Sequence, residues 1–141
     1  MASIMIEAWR TALAAEVHSM PAIDAAYGPA ARLHLLDAYG WQLLACQRVT
    51  QIPDAPPRSA KLLPEVASGI ALSPEVREMS SMEENGWLAE LMLPIRPGLR
   101  AGGPQNLLAV SSGHFDSLKA ADIYRNLEAL IDRVADAIDE S

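Results

Sequence analysis

The chain has 141 residues, of which 50% are apolar and 21% are charged, a composition typical of one globular domain rather than of a disordered segment. Its formal net charge is -7. Clustered lysines and arginines are needed to neutralise phosphates, so nucleic acid and anionic membrane surfaces are excluded as expected partners. Only 5% of the residues are aromatic, while alanine and leucine are abundant, which favours helices over strands.

The sequence has no export or membrane signal that we recognise. Residues 1–7 lack a basic region and already include Glu7, and no uncharged apolar run reaches the ~18 residues of a membrane span. The single cysteine, Cys46, cannot form an intramolecular disulfide. We therefore expect a cytoplasmic protein with one helical domain over residues 1–141.

The first predicted helix covers residues 3–20 and ends at Pro21, because proline disfavours a helical conformation in the residue before it. Its apolar residues recur at helical spacing and predict one buried face. The residues of this face are Ile6, Trp9, Leu13, Val17 and Met20.

The second predicted helix covers residues 30–50 and is opened by Gly28 and Pro29, since proline is well placed in a first helical turn. It is apolar nearly all round, which is typical of a central helix. Gly40 lies inside it at a cost of roughly 1 kcal/mol relative to alanine. We interpret this glycine as a point of close approach by a neighbouring helix.

Two shorter helical segments follow. The first of them is predicted over residues 59–72. The sequence Ser73-Pro74-Glu75 predicts the start of the second, with serine as N-cap, proline at the first helical position and an acid in the first turn. This segment is interrupted near residues 85–86 and resumes over residues 87–93.

Residues 94–116 are predicted to form a long irregular crossover, within which residues 106–110 are apolar and predicted to be extended. Arg96 and Arg100 lie in a glycine-containing part without acids, where backbone N–H groups could contact an anion. No phosphate-loop pattern is present. Anion contact therefore competes with a simpler interpretation, a linker whose arginines pair with surface acids.

The last helix is predicted to be capped by Ser117 and to bury one continuous apolar stripe. The residues of this stripe are Ile123, Leu127, Leu130, Ile131, Val134 and Ile138.

Four acidic residues follow each other at four-residue steps on this last helix: Glu128, Asp132, Asp136 and Glu140. Like charges at that spacing are mildly destabilising, and acids near a helix C-terminus oppose the helix dipole. The row is either a solvated face or a docking surface for a basic partner.

A second candidate site lies on the central helix, where His34, Asp37 and Trp41 share one face at offsets of three and seven residues. Asp37 could orient His34 for ligand contact or catalysis. The competing interpretation is a polar seam where the helix meets solvent. No Glu stands three residues before a His and Cys46 is alone, so we predict no metal, no cofactor and no catalytic residue.

Three stretches in this order resemble a known family. They are ARLHLLDAY at residues 31–39, SPEVREM at 73–79 followed by GWLAEL at 86–91, and NLLAVS at 106–111. Order and spacing are similar to those of an uncharacterised domain family from Pseudomonas and related gammaproteobacteria. The resemblance covers nearly the whole chain through packing and turn motifs. It implies a bacterial cytosolic helical domain and assigns no activity or functional residue.

Together these patterns predict an all-α bundle of four or five helices, with the long irregular crossover before the C-terminal helix. The preferred function is a non-enzymatic interaction or binding module, which could include a homodimer. The alternative is a small-molecule sensor or an enzyme with a site near His34, Asp37 and Trp41.

Overall fold

The computed structural model describes residues 1–49, 51–64, 71–93 and 115–140. These residues contain α-helices and a 3-10 turn but no strand, which confirms the predicted all-α bundle. The predicted crossover falls almost entirely on residues 94–114, and these, with its extended stretch 106–110, lie outside the described residues. The elements in chain order are α1 (Ala2–Ala15), α2 (Met20–Cys46), the 3-10 turn (Ala60–Leu62), α3 (Pro74–Asn85), α4 (Leu88–Met92) and α5 (Ser117–Asp139).

The predicted first helix over residues 3–20 is wrong at its C-terminal end. Glu16 adopts a left-handed conformation with φ 52°, which ends α1. Val17 and Met20 are 74% and 66% exposed, so they leave the predicted buried face. Pro21 lies in the first turn of α2, where proline starts a helix rather than ending one.

The predicted start of the second helix at residue 30 is also wrong, because Pro29 lies inside α2. Proline removes one helical hydrogen bond, yet packing against α1 keeps this part helical. The indole Nε1 of Trp9 donates to Asp24 at 2.9 Å, and a Cβ at Gly28 would lie 3.5 Å from the Trp9 ring. α2 contacts the four other helices, so it is the central helix, as predicted.

Gly40 marks a close approach to α2, but by a loop and not by a helix as predicted. A Cβ at this position would overlap the carbonyl oxygen of Pro57 and lie 2.8 Å from the Pro56 side chain. Glycine is therefore required where the loop crosses α2.

The helix predicted over residues 59–72 is reduced, in its described part, to the 3-10 turn; residues 65–70 lie outside the described residues. Leu63 has ψ 140°, the extended conformation that is favoured before a proline such as Pro64. The Ser59 side chain accepts from the Lys61 backbone N–H at the start of the turn.

A buried carboxylate joins α2, the 3-10 turn and α3. Glu83 is only 8% exposed and accepts three hydrogen bonds: from the Tyr39 hydroxyl at 2.6 Å, the Ser59 hydroxyl at 2.7 Å and the Ala60 backbone N–H at 2.7 Å. These donors replace the water that the carboxylate loses on burial.

The predicted start of α3 is confirmed, since the Ser73 hydroxyl accepts from the Val76 N–H at 3.2 Å. The break at Gly86 and the return to helix in α4 are also observed. α5 is capped by Asp116 rather than by Ser117, through a 2.8 Å bond from the Lys119 N–H. An N-cap must lie before the first helical residue, and Ser117 is already that residue.

Four residues of the predicted α5 stripe are buried, Ile123, Leu127, Leu130 and Val134. The other two differ from the prediction: Ile131 is 36% exposed and Ile138 is 44% exposed. These two lie on the edge of the buried face that turns towards solvent.

We predict that Glu83→Ala lowers the free energy of unfolding by on the order of 3 kcal/mol, because it leaves the Tyr39 hydroxyl and the Ala60 N–H without an acceptor. Urea denaturation measures this change. The matched control is Glu84→Ala, which removes an exposed ion pair with Lys61 and should change stability by less than about 1 kcal/mol. Equal losses in the two variants would contradict the role of Glu83.

The environment of Tyr39 predicts a loss of stability at alkaline pH. Burial, with a further contribution from the hydrogen bond to Glu83, raises the pKa of Tyr39 above its ordinary value. In the unfolded chain the phenol ionises near pH 10, about where a tyrosine normally does. The stabilisation by neutral Tyr39 is therefore complete below that pH and falls above it, by up to about 1.4 kcal/mol per pH unit.

Tyr39→Phe has no phenol to ionise, so its stability should lie below that of the native chain at neutral pH and the gap should narrow as the pH rises above about 10. Denaturant unfolding of both proteins at several pH values measures the gap. A gap that stays constant through this range would show that Tyr39 ionises equally in both states.

Candidate functional site

Among the described residues, Arg32 is a buried cation that binds the backbone at the end of α4. Its guanidinium donates to the backbone carbonyls of Glu90 at 2.8 Å and Leu91 at 3.3 Å, and also to that of Leu93. The same group lies 5.5 Å from the centroid of the Phe115 ring. Burial lowers the pKa of Arg32. A cation at the end of a helix stabilises its free carbonyls, so Arg32 anchors the end of α4.

Cys46 lies at the end of α2 beside a cleft of about 360 Å³, which the first turn of α3 and the last turns of α5 also line. Burial, followed by the negative charge of Glu75, raises the pKa of the Cys46 thiol. A reactive cysteine needs the opposite shift, since the thiolate is the nucleophile. This environment is that of a structural cysteine.

The predicted trio on α2 shares one face, as its spacing required. His34 and Asp37 are half-buried, and Trp41 is 43% exposed. No hydrogen bond joins His34 to Asp37 in the part of the chain that the structure describes, and these residues do not line the cleft beside Cys46. Their role in ligand or partner contact stays a prediction, as does the alternative of a sensor or enzyme.

An apolar groove of about 300 Å³ lies between the end of α1 and the start of α2. This groove was not predicted, because Val17 and Met20 were interpreted as buried residues of one long helix. Alanines recurring on both sides of the α1–α2 turn are the only sequence signal of this groove. It is lined by Ala12, Ala15, Val17, His18, Ala22, Ile23, Ala26 and Tyr27.

The acidic residues predicted on α5 are all exposed. We call Glu128, Asp132, Asp136 and Glu140 the acidic row. Among the described residues, no lysine, arginine or histidine forms an ion pair with any of them. The arginines of α5 are engaged elsewhere, Arg125 with Asp122 and Arg133 with Glu78 at 2.8 Å. The acidic row is thus not neutralised within the described part of the fold.

An apolar strip runs beside the first acids of the acidic row on the same helix. We call Tyr124, Ile131, Ala135 and Ile138 the apolar edge; at 100° per residue they fall between the buried stripe and Glu128 and Asp132. Ile131 and Ile138 are the two stripe residues that remain partly exposed. The Tyr124 hydroxyl donates to Glu128 at 3.2 Å, which joins the edge to the row.

Arg96 and Arg100, predicted to contact an anion, lie outside the described residues. Within the described ranges, no three His, Cys, Asp or Glu side chains come close enough to hold a metal ion. None of the described helices is long and apolar enough to cross a membrane.

A scan against protein-family models and searches of curated proteins and of solved structures found no match to this chain. The resemblance to the gammaproteobacterial family therefore stays a prediction.

The acidic row predicts that charge reversal stabilises the fold. With Asp132→Lys and Asp136→Lys together, two of the three repulsive four-residue pairs become attractive, and the new cations suit the C-terminal half of α5. We expect the melting temperature to rise by roughly 1–3 °C, measured by circular dichroism. A fall in melting temperature would reveal stabilising partners of these two carboxylates.

Proposed function

We propose that this chain is a non-enzymatic protein-interaction module whose docking surface is the acidic row and apolar edge of α5. The observation that carries the proposal is a row of exposed carboxylates that no described cation neutralises, which begins at Glu128, one helical turn before the partly exposed Ile131. The row is mildly destabilising by its spacing, so a partner that supplies positive charge would relieve a repulsion present in the free protein.

The chemistry of this surface favours a basic, amphipathic helix as the partner. Such a helix can place one apolar stripe on the apolar edge and its lysines or arginines over the acidic row. The net charge of -7 would attract this partner at long range and raise the association rate at low salt. The family resemblance would place this module in a bacterial cytosol.

The distribution of buried polar groups supports binding rather than catalysis. Glu83 and Arg32 hold helices and turns together, and the thiol of Cys46 has a raised pKa. Each of these groups is therefore used by the fold itself. The carboxylates of the acidic row lie on the outer surface of α5 and are available to bind a partner.

The proposal predicts binding of a labelled lysine–leucine peptide designed as an amphipathic helix, measured by fluorescence anisotropy. Asp132→Lys with Asp136→Lys should weaken this binding at least ~10-fold, and added salt should weaken it in the native chain. The matched control is Glu7→Lys with Asp54→Lys, which changes net charge equally at two other exposed acids. It should lower affinity by no more than about threefold.

Equal losses in both double variants would sink the proposal, because the peptide would then sense only net charge. The apolar edge is tested with Ile131→Gln, and Ile52→Gln at an exposed position between α2 and the 3-10 turn is its control. A glutamate–leucine peptide of the same apolar pattern should not bind. Binding of that peptide would point to a purely hydrophobic contact.

A further inference from the structure

The outer side of the α1–α2 hairpin carries little charge for an acidic chain, and the exposed acid at its turn is Glu16. Ile4 is 63% exposed. Ala8 lies four residues after it and Ala15 a further seven residues on, so all three are on the same side of α1. The charged residues of α1, Glu7 and Arg10, fall on other sides of the helix. This surface leads into the α1–α2 groove.

The start of α2 continues the same surface. Ala22 and Ala26 are exposed and line the groove opposite α1. Asp24, the one acid of this first part of α2, turns towards α1, where it accepts from the Trp9 indole. Val17 and Met20 project from the turn between the helices, with 74% and 66% of their surface exposed.

We propose that this groove is the docking site for a second copy of the chain, in a two-fold symmetric dimer. Two chains of net charge -7 repel each other, so they can meet only through a face that presents little negative charge. The α5 face, with its acidic row, would place like charges against each other. The groove side of α1 and α2, where Glu16 is the exposed acid next to the lining residues, presents less negative charge than the acidic row and reduces this repulsion.

The surface is also self-complementary in shape. A concave, alanine-lined groove lies directly beside the projecting side chains of Val17 and Met20. In a two-fold contact, the projections of each copy can enter the groove of the other. Each contact then forms twice.

The size of the surface predicts a weak dimer. The 14 residues of α1 span about 21 Å, and two adjacent helices are about 20 Å wide. This gives a face of about 400 Å² per copy, about half of the ~800 Å² that a standard interface buries on each partner. The dimer is therefore reversible, with a dissociation constant in the micromolar to millimolar range.

Sedimentation velocity of the full chain over this concentration range tests the proposal. Ala26→Glu places a charge in the groove on an exposed helical position and should raise the dissociation constant at least ~10-fold. Ala45→Glu is the matched control, an exposed alanine of the same helix outside the groove, and should leave the dissociation constant within about twofold.

A second measurement tests the geometry directly. Under mild oxidation, Val17→Cys should yield a disulfide-linked dimer, whereas Ala45→Cys should not. A chain that stays monomeric at all concentrations overturns the proposal. So does a dimer that Ala26→Glu leaves intact, because its interface would then lie on another face. Neither result bears on peptide binding by α5, so the two proposals fail separately.

Discussion

The fold depends on keeping a carboxylate in the protein interior. Burying the charge of Glu83 costs several kcal/mol unless donors replace the lost water, and three donors do so here. Those donors come from α2 and the 3-10 turn, while the carboxylate belongs to α3. Tyr39 and Gly40 are adjacent on α2, so the turn of α2 that donates to Glu83 is also the one that the Pro57 loop crosses. One ionised group thereby fixes how three segments meet.

The requirement that a buried charge has hydrogen-bond partners also distinguishes the charged groups of the interior from those of the surface. Arg32 in the interior has its donors directed at the carbonyls that end α4, and Glu83 has its acceptors occupied. Such groups cannot change partners without leaving a buried charge uncompensated. The carboxylates of the acidic row form no ion pair with a described cation, so they are available for recognition by charge. The buried charges of Arg32 and Glu83 therefore stabilise the interior, and the exposed charges of the acidic row are available for binding.

Local patterns predicted local structure well. Ser73 and Pro74 started α3, and the α5 stripe was buried over four of its six residues, because capping and helical periodicity depend on near neighbours. The α1–α2 boundary could not be found this way, since packing of α1 on α2, for example of Trp9 on Gly28, favours a helix that continues through Pro29. Glu83 and Arg32 were also missed, because their partners are distant in sequence. The four-residue spacing of the acidic row was sufficient to predict it. The groove could not be predicted, because Met20 was assigned to the end of the first helix and not to the start of α2.

Arg32 has a consequence for how the chain is joined. It contacts the Leu93 carbonyl and the Phe115 ring, the described residues that flank residues 94–114 on either side. Leu93 and Phe115 are therefore held at one side chain of α2, and removal of the Arg32 guanidinium would release both of them together.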